Sequence, residues 1–168
     1  MSDHQQPQVS QGLSHLDSTG AARMVDVGGK ARTHRVAVAA GTFRTTAEVI
    51  GLLSDRALPK GDVLATARVA GIMAAKRTED LIPLCHQLAL SSVEIDFAVG
   101  ADHIDITATV ATSGQTGVEM EALTAVAVTG LTLHDMVKAV DRRASTTDIR
   151  LLSKTGGKSG PWIRDGSS

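Results

Sequence analysis

Tyrosine is absent from this 168-residue chain, and its other aromatics are two Phe and one Trp. The core must therefore be built from Ala, Val, Leu, Ile and Met, whose small volumes let elements approach closely. Further burial between subunits is then a natural source of stability, so a homo-oligomer is expected. The same shortage argues against an RNA-binding sheet, which needs stacking aromatics on its strands; the strands expected here carry Phe97 alone. A single cysteine, Cys85, excludes an intrachain disulfide framework and fits a reducing compartment, so a cytoplasmic protein is expected. No apolar run approaches the roughly 20 residues of a membrane-spanning helix. The opening MSDHQQPQVSQG has neither the basic start nor the apolar stretch of a signal peptide. Charge of one sign is lacking too. With 17 basic and 18 acidic residues the net charge is −1, so nucleic acid is not an expected partner and any anion site must come from local clustering.

What is present suits one domain: 42% of residues are apolar, without repeats or an internal linker. Residues 1–12 read as a disordered polar tail, 13–160 as a single α+β domain, and 161–168 as a second tail with Trp162 able to dock. Period-two alternation marks strands at 35–39, 90–99, 103–112 and 148–153, the middle two joined by Gly100-Ala101-Asp102 as a hairpin. Helices are expected over 42–53, 62–80 and 118–140, the second opened by Asp62 at the positive helix end. The order strand, helix, helix, strand, strand, helix, strand predicts a ferredoxin-like α+β sandwich, an antiparallel sheet with helices packed on one face. That fold identifies no function by itself.

Residues 60–86, KGDVLATARVAGIMAAKRTEDLIPLCH, open on a lysine and close on a Cys-His pair just past Pro83. Lys60 precedes a helix whose positive end favours loss of its proton, although a turn lysine is ordinarily just solvated. Adjacent Cys85 and His86 lack the spacing of a zinc pair, and no second pair exists to complete one. Asp135 and Lys138 are spaced i, i+3, which taken alone is usually a surface ion pair. Glu121 lies 14 positions before Asp135, so a continuous helix would hold the two backbones roughly 21 Å apart. Either that helix bends near Gly130 or the two residues serve sites assembled from different chains; shared sites are the favoured reading. The loop 156–160, GGKSG, is not a phosphate loop of the Walker type, because Leu152 stands where its first glycine belongs. Folded onto an anion it would nevertheless present Lys154 and Lys158, while Arg68, Lys76 and Arg77 are further phosphate-binding candidates.

Five strings now stand in order: 24–27 MVDV, the 60–86 segment, 116–125 TGVEMEALTA, 135–140 DMVKAV and 156–160 GGKSG. Together they resemble the cyclic pyranopterin monophosphate synthase family of molybdenum cofactor biosynthesis, the MoaC type, over about residues 13–160. The resemblance implies a ferredoxin-like protomer, a hexamer built as a trimer of dimers, and active sites at subunit interfaces. It implies a lyase acting on 3′,8-cyclo-7,8-dihydroguanosine triphosphate, giving cyclic pyranopterin monophosphate and diphosphate. That chemistry requires an acid-base group, cations for the phosphates and shape readout of the base.

By the same resemblance Lys60 and Asp135 are catalytic, with Lys138 as the nearby lysine, and Leu84, Cys85, His86, Met120 and Glu121 contact substrate. His86 then reads as a binder or proton-transfer group and Cys85 as pocket lining, while the Glu121 carboxylate suits a guanine-type edge. Two residues depart from the family pattern: Gln87 stands at a usual proline, loosening the loop, and His134 at a usual aromatic. No cofactor is required by the sequence, and whether a divalent metal accompanies the triphosphate is left open by it. The alternative is a non-catalytic small-ligand-binding paralogue on the same fold, which would not need Lys60, Asp135 and Lys138 together.

Overall fold

A computed structural model describes residues 21–55 and 62–166; the tail expected at 1–12 and Lys60 lie outside them. Strands β1 (Thr33–Arg44), β2 (Leu90–Val99), β3 (His103–Gly114), β4 (Ser145–Thr155) and β5 (Trp162–Ile163) form one antiparallel sheet in the order β2-β3-β1-β4-β5. Helices α1 (Ala47–Ser54), α2 (Val63–Ala75), α3 (Thr78–Leu81) and α4 (Glu119–Val137) complete the chain. Its first four strands have the ferredoxin-like arrangement, with β1 and β3 central.

Alternation decides which sheet face is covered. On β3, Ile104, Ile106, Ala108 and Val110 are fully buried, while Asp105, Thr107 and Thr109 point away. Ala37, Ala39 and Phe43 of β1 join them under α2 and α4. Because these side chains are small, the two helices pack almost backbone to backbone. A Cβ on Gly71 of α2 would come within 2.2 Å of Thr129 Oγ1 on α4 and 2.3 Å of Ile95 Cδ1. The aromatic shortage thus leads to close helix packing, and that packing requires a glycine.

Two boundaries differ from the sequence reading. Residues 42–44 extend β1 instead of opening a helix: Thr42 Oγ1 donates to Asp105 Oδ1 at 2.7 Å, and Phe43 pairs with Ile104 in the core. The helix waits for Thr46, whose hydroxyl accepts from Val49 N at 3.3 Å as an N-cap. The 62–80 helix divides at Lys76 into α2 and α3, with buried Thr78 donating to the Ala75 carbonyl at 3.0 Å. α2 does open on Asp62, which caps Ala65 N at 3.0 Å. At the other end of the chain, Trp162 docks by strand pairing. It sits opposite Lys154 on β4, under the guanidinium of Arg164 at 5.6 Å.

Candidate active site

Three segments converge at the N-terminal end of α4. The turn after β3 delivers Thr116-Gly117-Val118 into the helix, so Glu119, Met120 and Glu121 occupy its first turn. Beside them runs the loop 82–89, which Pro83 keeps from continuing α3. It is pinned by Cys85 N to the Ile82 carbonyl at 3.1 Å and by Thr112 Oγ1 to the Ala89 carbonyl at 2.7 Å. The irregular segment 24–30 closes the third side. Gln115 Nε2 donates to the carbonyls of Gly28 and Lys30, at 3.1 and 2.9 Å, and Asp26 turns the chain by accepting from Gly28 N at 2.8 Å.

Between them lies an open cleft of about 380 Å³. Leu84, Cys85, His86, Met120 and Glu121, the five substrate contacts expected from sequence, all line it. His86 Nε2 lies 2.6 Å from the Val25 carbonyl, which can only accept, so Nε2 carries the proton and donates. In neutral His86 the acceptor nitrogen is therefore Nδ1. Lys30 and Glu119 also line the cleft, and the sequence reading gave neither a role. The 24–27 string was the signal that this segment had a place in the site; only the fold shows that Lys30 travels with it.

Glu121 is the electrostatic centre. It is only 4% exposed, and its carboxyl is pushed up to about 7. Burial is the main cause, with the Glu119 and Glu79 carboxylates adding repulsion, against a hydrogen bond to its own backbone that favours the anion. At neutral pH it is divided between a carboxylate that accepts two hydrogen bonds and an acid that donates one. Burial and the Glu121 charge also push the Cys85 thiol up, so it stays protonated and lines the cleft without acting as a thiolate.

The remaining residues are distributed unevenly. Lys154 reaches the rim of the cleft through a 2.8 Å ion pair with Glu119. Gly157, at φ 77°, packs its bare Cα against Arg35, whose guanidinium holds the carbonyls of Gly114 and Gln115 at 3.0 and 3.1 Å. Lys158 beyond it is exposed. Arg68 is committed elsewhere, donating to the Ile95 carbonyl at 2.9 Å and lying 5.2 Å over the Phe97 ring. Lys76 borders a small chamber behind the loop, and Arg77 stands exposed at the start of α3. Gln87, expected to loosen the loop, instead donates to Glu79 Oε1 at 3.0 Å and ties it to α3. His134 ties α4 to the approach of β4 through Nδ1 and the Ala144 carbonyl at 3.0 Å.

Asp135 and Lys138 form an ion pair of 2.7 Å with both side chains about half exposed, at the opposite end of α4. The helix runs without a break through Gly130, from Glu119 to Val137. Asp135 stays roughly 21 Å along the axis from Glu121, and one protomer does not bring them together. Among the described residues no three His, Cys, Asp or Glu side chains gather as a metal set, and no helix is long and apolar enough to cross a membrane.

The sequence matches the MoaC family over residues 24–157, which includes every element of the cleft. This chain belongs to the MoaC family. Among its relatives is the Mycobacterium tuberculosis protein named cyclic pyranopterin monophosphate synthase 2, 65% identical over 152 residues, covering 90% of this chain and 91% of that one. A Novosphingobium aromaticivorans protein named cyclic pyranopterin monophosphate synthase is 60% identical over 150 residues, covering 89% and 96%. Another of that name, from Rhodospirillum rubrum, is 58% identical over 158 residues, covering 93% and 95%.

Proposed function

We propose that this chain is a cyclic pyranopterin monophosphate synthase, a lyase of molybdenum cofactor biosynthesis. It converts 3′,8-cyclo-7,8-dihydroguanosine triphosphate to cyclic pyranopterin monophosphate with release of diphosphate. The observation that carries the reading is the identity to proteins of that name along nearly the whole of both chains, with the cleft-lining residues inside the matched region. The cleft suits the chemistry. Glu121 offers an acceptor and a donor to the edge of a purine-derived ring, and His86, anchored through Nε2, presents Nδ1 as a proton acceptor. Lys30 and Lys154 supply positive charge at its border for the phosphates.

Asp135, Lys138 and Lys60 supply the acid-base set in this reading. Since Asp135 lies a helix length from Glu121, a neighbouring protomer brings its own α4 end to each cleft. That requires at least a dimer, and a trimer of dimers satisfies it. The purified protein incubated with the cyclised dihydro-GTP should release diphosphate and form the cyclic monophosphate. Binding without diphosphate release would instead identify a non-catalytic ligand-binding paralogue.

A further inference from the structure

Behind the loop 82–89, on the side away from the main cleft, lies a second, smaller chamber of about 70 Å³. Glu121 and His86 border both spaces, so the loop is a partition and Glu121 is visible from either side. The far wall of the chamber is α3, from which Glu79 projects, and its rim is Gln87. The Gln87 amide donates to Glu79 Oε1 at 3.0 Å, a bond that fixes where the carboxylate sits.

Among the described residues, the other charged or titratable groups around Glu121 each have a definite place. Glu119, two residues earlier on α4, is neutralised in part by Lys154 of β4 at 2.8 Å. Cys85 and His86 come from the loop, the latter tied to Val25. Lys30 faces the main cleft from segment 24–30, and Lys76 borders the chamber from the end of α2. Glu79 accepts from the neutral Gln87 amide at the chamber that Glu121 also borders. Neither Glu79 nor Gln87 enters the main cleft, so neither is needed to bind what enters it.

We infer that Glu79 and Gln87 are a positioning pair: Gln87 holds the Glu79 carboxylate at the chamber that Glu121 also borders, and the charge fixed there makes Glu121 harder to ionise. The direction of the effect agrees with Coulomb repulsion from Glu79 as one of the causes that raise Glu121. Gln87 also gives the loop a further anchor. With His86 held to Val25 on one side and Gln87 to α3 on the other, the partition carries both contacts on adjacent residues.

The pair is testable without reference to turnover, and its consequence for turnover rests on the function proposed above. Glu121 is followed by carbon-13 carboxyl NMR of glutamate-labelled protein, the resonance being assigned by its loss in Glu121→Gln. Glu79→Gln removes the charge while keeping the shape, and Gln87→Ala releases the charge to solvent. Both should move the Glu121 midpoint downward, Glu79→Gln by more, and the alkaline limb of the diphosphate-release profile should move with it. An unchanged Glu121 midpoint in both variants overturns the positioning pair. A midpoint that falls while the turnover profile stays fixed upholds the pair and overturns the role of the Glu121 proton in the proposed reaction.

Discussion

Replacing Glu121 by glutamine should make the protein more stable at alkaline pH, and the size of the gain follows from its surroundings. The side chain is 4% exposed, and burial together with Glu119 and Glu79 lifts its carboxyl from 4.5 to about 7. Between those values the folded chain holds a proton that the unfolded chain has lost. Stability from this group is therefore fully present below 4.5, falls as pH rises through the window, and is gone above about 7. At 1.36 kcal/mol per pKa unit the loss is roughly 3 kcal/mol. Glutamine has nearly the same shape and never ionises, so the variant should match the parent at pH 4.5 and exceed it by roughly 3 kcal/mol at pH 8. In thermal melts at fixed protein concentration that corresponds to about 6–12 °C for a chain of this size. Urea titrations at half-unit pH intervals give the same comparison as free energies. A difference between variant and parent that stays constant from pH 4.5 to 8 would refute the argument, because it would mean Glu121 ionises normally inside the fold.

Gly71→Ala should destabilise by about 1–3 kcal/mol although alanine is the better helix former by roughly 1 kcal/mol, since its Cβ would sit 2.2 Å from Thr129 Oγ1; a urea midpoint equal to the parent's would show that α2 and α4 separate freely. Lys60→Ala and Asp135→Asn should each abolish diphosphate release while sedimentation shows the oligomer unchanged, and normal turnover in either variant removes that residue from catalysis. Glu121→Gln and Asp135→Asn, if each is inactive alone, should recover about a quarter of parental activity when unfolded together and refolded as randomly mixed two-fold pairs, whereas a site contained in one protomer would recover none.

The strand pattern was legible because period two is a local property: the 90–99 strand ends where the sheet ends it, and Ile104, Ile106, Ala108 and Val110 are buried as their alternation requires. The start of α1 was not, because Thr42 and Phe43 carry no local mark of their pairing with Asp105 and Ile104, residues more than 60 positions away. The five expected substrate contacts do share a cleft, and the strings that contain them pointed there. Lys30 and Glu79 were missed for the same reason as β1's end. Each reaches Glu121's surroundings only through a turn and a tertiary hydrogen bond, Gln115 to the Lys30 carbonyl in one case and Gln87 to Glu79 in the other. Gln87 shows how a departure can mislead when read locally. Taken as the loss of a proline it loosens a loop, but its amide makes a tie that proline could not.

The position of Glu121 sharpens what its raised pKa means. It is the third residue of α4, where unpaired N–H groups and the helix dipole favour a negative side chain by about 0.3–1 kcal/mol. The backbone hydrogen bond that pulls its pKa down is the local expression of that preference. A carboxylate at such a site would ordinarily titrate low. Here the roughly 3 kcal/mol cost of ionisation from burial and two neighbouring carboxylates outweighs the helix end several-fold. An arrangement chosen for stability alone would leave Glu121 in water or set a cation against it, as Lys154 is set against Glu119 one turn-position away. The fold instead seals Glu121 beneath the loop 82–89 and adds charge of its own sign from α3. A buried acid lining a cleft and titrating near 7 can hand on a proton there, and the stability lost at high pH is the measurable cost of burying it.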